Sequence, residues 1–263
     1  MSYAFDPDGP VSSVVDHGET RDGVPLLRRQ WQAEQPKAAV LVVHGLGEHS
    51  GRYEHVGRQL ADAGLHTVGY DQRGWGASGG SRAYVDRFDQ YHDDLEDLLD
   101  EIERLGLPTV LLGHSMGGLV CASYVLRGRP RPDLMVLSAP ALGADAPTWM
   151  RLATGPMSRL APKLRLKAPF ETDVLSRDPR VGAAYESDPH VERTTSARLG
   201  AELLSTIDWC RDNIAGLDIP TLLVHGAEDL LVPTDSSEIV EGLPGVERHV
   251  VAGARHEVCL LYT

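Results

Sequence analysis

The sequence predicts an α/β architecture, a mostly parallel central sheet flanked by helices, with a helical insertion; three observations carry that prediction. Short apolar runs bounded by Gly-rich turns alternate with segments of helical spacing as far as Ser138, and the same rhythm resumes at Ile219. The apolar run Val110 to Leu112 is followed at once by Gly113-His114-Ser115-Met116-Gly117, a G-x-S-x-G turn from strand to helix. From Ala139 to about Gly216 no strand is evident, and prolines recur at 140, 147, 156, 162, 169, 179 and 189 between short helical runs. A structureless loop that long is improbable inside a compact domain, so this stretch is expected to be a helical cap.

Taken in order, Val11 to Val15 and Val24 to Trp31 look like short strands split by the turn-rich Gly18 to Gly23, an antiparallel edge to a larger sheet. Ala38 to Val43 is continuously apolar, as expected of a strand buried on both faces. In Arg52 to Ala63 the positions Tyr53, Val56, Leu60 and Ala63 recur at helical spacing, and Gly64 closes the helix. His66 to Tyr70 returns to strand, and Asp71 to Ser81 is a Gly-rich loop. Phe88 to Leu105 is helical, with Leu95, Leu98, Leu99 and Ile102 as its apolar stripe and Gly106 as its stop. Beyond the G-x-S-x-G turn, Leu119 to Arg127 reads as helix and Leu134 to Ser138 as strand. Ile219 to Val224 is the next strand, Asp235 to Glu241 a helix and Val246 to Val251 the last strand. Residues 1–140 and 217–263 thus form a core, and residues 141–216 a cap inserted into it.

Composition narrows the partners. Hydrophobic residues at 42% and charged residues at 24% are ordinary globular values, which disfavours disorder. A net charge of −13 argues against nucleic acid, because phosphate contacts need clustered Lys and Arg. Cys121, Cys210 and Cys259 are widely spaced without metal-ligand pairing and suit a reducing cytoplasm. The start has no basic region followed by an apolar segment, and no run is long enough to span a bilayer.

The candidate chemistry centres on Ser115. A tight turn pushes its hydroxyl up at the carboxyl end of the sheet, where it can attack a carbonyl and the helix start can receive the developing negative charge. A serine needs a base, and the base needs a partner. His256 follows the last strand by the short loop Ala252 to Arg255, which brings it to the same sheet edge. His114 is expected to face away, and His225 lies at the end of a core strand. For the acid, Asp229 ends the His225 to Asp229 turn and completes the order Ser, acid, His; Glu228 and Asp145 are alternatives. The oxyanion donors are expected to be the main-chain N–H groups of Leu46 and Met116, while His44 supports its loop by hydrogen bonds. Gly74-Trp75-Gly76 lacks the further glycine and lysine of a phosphate cradle. No metal or organic cofactor is required.

These residues resemble the α/β-hydrolases, and within them the monoacylglycerol lipases and lysophospholipase-like proteins. The resemblance rests on His44-Gly45-Leu46-Gly47-Glu48-His49-Ser50-Gly51-Arg52-Tyr53, on Asp71 to Gly80, on Gly113 to Gly118, on Leu137 to Pro140 and on His225 to Asp229. It continues in Leu175 to Pro179 and Tyr185 to Pro189. It implies the α/β-hydrolase fold and hydrolysis of the monoacylglycerol ester bond, with Ser115, Asp229 and His256 as triad and Leu46 and Met116 as oxyanion donors. It also implies an apolar, mobile hood that admits an acyl chain and rests on a lipid surface, a face that Trp149, Met150, Leu152, Met157 and Leu160 could supply. The alternatives are a small-ester carboxylesterase or peptidase of the same superfamily, and a non-catalytic ligand binder. One departure stands out: the family carries a helix after the histidine, whereas this sequence closes with Cys259-Leu260-Leu261-Tyr262-Thr263.

Overall fold

A computed structural model describes residues 12–143, 148–167 and 171–260, with the main chain only at 148–150 and 152. Eight of its strands form one sheet: β1 (Val14–Glu19), β2 (Pro25–Trp31), β3 (Ala38–Val43), β4 (Leu65–Tyr70), β5 (Thr109–His114), β6 (Leu134–Ser138), β9 (Thr221–Gly226) and β10 (Val246–Val251). Their spatial order is β1-β2-β4-β3-β5-β6-β9-β10. The pairs β1/β2 and β2/β4 are antiparallel and every later pair is parallel. This is the α/β-hydrolase fold.

The central strand β3 shows why the sheet is buried on both faces. Ala39, Leu41 and Val43 join one apolar cluster with Leu111, Leu119 and Leu95, whereas Val40 and Val42 join another with Trp31, Tyr53 and Val56 on the opposite face. Helix α1 (Glu54–Asp62) covers the second face, and α2 (Asp89–Glu103) and α3 (Met116–Leu126) cover the first. In α2 the buried positions include Leu95, Leu98, Leu99 and Ile102, the stripe read from the sequence. Helix α3 is apolar all round and buried over ten residues from Met116 to Val125, as expected of a helix enclosed between sheet and other helices.

Three local expectations change. Strand β1 continues to Glu19, through residues expected to turn, because Asp16 there pairs with Arg28 of β2 and holds the exposed edge in register. The segment expected as a helix at 235–241 is a 3-10 helix, Thr234–Val240. The connection from β6 to β9 contains α4 (Thr148–Leu160), α5 (Pro179–Ser187) and α6 (Ala197–Asn213), and also two strands where none was expected, β7 (Arg165–Lys167) and β8 (Thr194–Ser196), paired antiparallel. Each has three residues and no apolar alternation strong enough to announce it. The helices carry clear start signals: Asp178 caps α5 ahead of Pro179, and Ser196 caps α6 by accepting from the Leu199 N–H. Among the described residues no helix is long and apolar enough to cross a membrane.

Candidate active site

Ser115 occupies the corner between β5 and α3 with φ 52° and ψ −116°, a left-handed conformation costing a non-glycine residue about 1–3 kcal/mol. The surrounding main chain holds it there. Its N–H donates to Ser138 O at 3.0 Å, and its carbonyl accepts from Leu119 N–H at 3.1 Å and Ala141 N–H at 3.0 Å. Glycine is required two residues on: a Cβ on Gly117 would stand 2.0 Å from Val43 O and 2.6 Å from His44 O. The corner therefore sits directly against the end of β3, where the loop from His44 to His49 begins. The N–H of Met116 opens α3 and has no carbonyl behind it within the helix.

That loop is fixed by buried polar groups. His44 Nδ1 donates to Gly45 O at 2.8 Å and Nε2 accepts the Gln72 N–H at 2.9 Å, so its imidazole is neutral; burial lowers its pKa against the pull of Glu48 and Asp71. Gly45 N–H donates to Glu48 Oε1 at 2.5 Å. A Cβ placed on Gly45 would lie 2.9 Å from that same oxygen and 3.2 Å from Ser115 Cβ, so Gly45 is wedged between Glu48 and the serine. Leu46 follows, half-buried against the main core.

Asp229 and His256 come together from different strands. His256 Nδ1 lies 2.7 Å from Asp229 Oδ2, and Asp229 Oδ1 accepts from the N–H groups of Leu231 at 2.8 Å and Val232 at 2.9 Å. His225 Nε2 also approaches Oδ2, at 3.1 Å. Burial alone would raise the carboxyl pKa; the bonds from His225, His256 and Val232 outweigh it and hold Asp229 ionised well below the usual carboxylate range. The two loops interlock: Glu228 N–H donates to Ala254 O at 2.9 Å, and a Cβ on Gly226 would meet Arg255 O at 2.1 Å. Glu228 itself turns outward and pairs with Arg177, and Asp145 lies outside the described residues.

His114, expected to face away, is in fact a close neighbour of His256, with ring centroids 4.9 Å apart. Burial lowers its pKa, but the Cys259 sulfur and Glu48 carboxylate outweigh it and raise the value overall. Among the described residues no hydrogen bond joins Ser115 Oγ to His256. Such bonds commonly tighten only when substrate is bound. Of the apolar residues expected to meet an acyl chain, Met157 is half-buried on α4, and Leu160 is 86% exposed; the side chains of Trp149, Met150 and Leu152 lie outside the described residues. Among the described residues no group of three or more His, Cys, Asp or Glu side chains is arranged to hold a metal ion.

Sequence reasoning missed Arg52 and Glu257. Arg52 Nη1 donates to Glu48 Oε2 at 2.6 Å and to Glu257 Oε1 at 2.8 Å, and Nη2 donates to Glu257 Oε2 at 2.9 Å. The two partners Arg52 and Glu257 are 205 residues apart, so no local spacing could announce them.

The family described as serine aminopeptidase, S33, matches residues 34–260. The chain belongs to that family. It is 33% identical over 246 residues to a monoacylglycerol lipase of Mycolicibacterium smegmatis, covering 90% of this chain and 87% of the relative. It is 35% identical over 227 residues to a monoglyceride lipase of Homo sapiens, covering 82% and 74%. It is 32% identical over 237 residues to the phospholipase YtpA of Bacillus subtilis, covering 87% and 91%. The crystal structure of a Paleococcus ferrophilus monoacylglycerol lipase superposes with a TM-score of 0.79 at 29% identity, over 89% of this chain and 91% of the other.

Proposed function

We propose that this chain is a serine hydrolase that cleaves the carboxylic ester bond of monoacylglycerols to fatty acid and glycerol. The observation that carries the proposal is the buried Asp229–His256 pair at 2.7 Å, at the sheet edge where Ser115 is held in its strained corner, in a chain about one third identical to named monoacylglycerol lipases. Ser115 Oγ attacks the ester carbonyl as His256 Nε2 takes its proton, and Asp229 fixes the imidazole with its proton on Nδ1 and balances the imidazolium. The N–H groups of Leu46 and Met116 receive the oxyanion. Glycerol leaves with the proton from His256, and water activated by the same imidazole releases the fatty acid.

On this reading residues 141–216 act as a cap over a core of 1–140 and 217–263. Leu160, Leu164 and Leu166, exposed at 86%, 47% and 44%, support its contact with a lipid or micelle surface. The phospholipase named among the relatives and the aminopeptidase description of the family supply the competing substrates for the test. A short monoacylglycerol, a lysophospholipid and an aminoacyl anilide are offered at matched concentration to the parent and to S115A, alongside a fluorophosphonate probe. Expected are preference for the monoacylglycerol, labelling of the parent alone, and loss of turnover in S115A. An S115A variant that turns over at the parent rate would end the serine mechanism, and preference for the anilide or lysophospholipid would end the substrate assignment.

A further inference from the structure

The geometry points to Arg52 and Glu257 as positioning residues that lock the oxyanion loop to the loop of the catalytic histidine; the inference rests on the hydrolase reading above. The bridge runs without a gap. Gly45 N–H, one residue before the Leu46 donor, is held by Glu48 Oε1, and Glu48 Oε2 accepts a hydrogen bond from Arg52 Nη1. The same Nη1 also donates to Glu257 Oε1 and Nη2 donates to Glu257 Oε2, so one guanidinium holds both oxygens of the residue that follows His256. Side-chain exposure is 9% for Arg52, 3% for Glu48 and 2% for Glu257, so these bonds lie largely shielded from solvent. Tyr53 OH donates to Glu48 Oε1 at 2.8 Å, and the Tyr185 ring lies 4.9 Å from the Arg52 guanidinium carbon.

Two buried carboxylates share one guanidinium. A buried ionic cluster is a poor source of stability where apolar side chains could fill the same volume. What the ions supply is direction. Arg52 presents parallel N–H groups that define where both carboxylates stand, and through them where the Gly45 N–H and the main chain at His256 stand. The main chain of Glu257 is fixed from its other side, where its N–H donates to Leu175 O at 3.0 Å. Misplacing the base or the oxyanion donors by about 1 Å is enough to cost two orders of magnitude in rate.

The test is a cycle of E48Q, E257Q and the double variant, with R52K as a fourth protein. Ser115 sites are counted by fluorophosphonate labelling, kcat and KM are measured on a short monoacylglycerol, and the melting temperature is recorded. Expected is a fall in kcat of about 10- to 100-fold per labelled site in E257Q, with KM within about twofold of the parent. The double variant is expected to be no worse than about threefold below the poorer single, because both cuts open the same bridge. R52K, which keeps the charge but cannot fork between two carboxylates, is expected to lose kcat per labelled site as E257Q does. A residue that only stabilises the fold would lower the melting temperature and leave kcat per labelled site alone. That result in E257Q, or losses that multiply in the double variant, overturns the inference. Should E257Q not fold at the assay temperature, the same kcat per labelled site is read from R52K with the same criterion. A parent that is neither labelled nor active would instead sink the hydrolase reading itself.

Discussion

Replacing Asp229 by Asn changes one atom and should separate the roles of its two oxygens. Oδ1 accepts two main-chain N–H groups, from Leu231 and Val232, at 2.8 and 2.9 Å. That position must remain an acceptor, so the new amide NH2 takes the place of Oδ2, which faces His256 Nδ1 at 2.7 Å and His225 Nε2 at 3.1 Å. His256 must then accept at Nδ1 and carry its proton on Nε2, where it cannot take a proton from Ser115. His225 Nε2 also lies 3.1 Å from Val232 O, so its own proton is needed there and is left opposite the amide. Loss of the correct tautomer in a Ser-His-Asp arrangement costs about 10⁴-fold in kcat, or about 5.4 kcal/mol. The mismatch at His225 adds a stability loss of about 1–3 kcal/mol. Initial rates on a short monoacylglycerol, normalised to folded protein, measure the first, and urea unfolding measures the second. A D229N variant within tenfold of the parent rate would refute the tautomer argument and with it the role given to Asp229.

Two further outcomes follow from the packing and the charges. G117A should lose at least about 3 kcal/mol, or roughly 6 °C or more in melting temperature, because its Cβ would meet two main-chain oxygens that cannot swing aside; a melt within a degree of the parent contradicts this. At Glu48, burial pushes the carboxyl up, but Arg52, His114 and the Gly45 N–H outweigh it and hold the pKa at about 2 against an ordinary 4.5. A depressed carboxyl contributes stability that is fully present above the ordinary value and is lost as pH falls from about 4.5 to about 2, here on the order of 3 kcal/mol. E48Q should therefore flatten the fall in unfolding free energy across that window; a slope equal to the parent's would count against the assignment.

The parts of the fold that were legible in the sequence are those whose signal is local. Ala38 to Val43 announces a doubly buried strand because six consecutive apolar residues have no other economical place. The serine corner is legible because its glycines are forced by contacts within a few residues of chain and by the abutting end of β3. His256 and Asp229 could be chosen by order along the chain, since each lies in a loop at the carboxyl end of a strand. Where the controlling contact is distant, the signal vanishes. Arg52 reads as an ordinary helix-start cation until Glu257 is folded beside it, and His114 could not be placed until the loop after β10 brought His256 to its ring. Strands β7 and β8 carry Arg-Leu-Lys and Thr-Thr-Ser, compositions equally at home in a loop, so only their mutual pairing makes them strands.

The segment between β6 and β9 touches both the loop after β3 and the loop after β10 through main-chain bonds: Glu192 N–H reaches Gly47 O at 2.8 Å, and Leu175 O receives the Glu257 N–H at 3.0 Å. A side-chain contact joins them, His49 Nε2 to Asp188 Oδ2 at 2.8 Å. Anyone replacing this segment with a foreign one would have to preserve those contacts, because a replacement chosen only for its own fold would unpin the loop from His44 to His49 and the loop that carries His256. Substitutions elsewhere in the segment that keep 172–176 and 185–192 native leave both loops pinned.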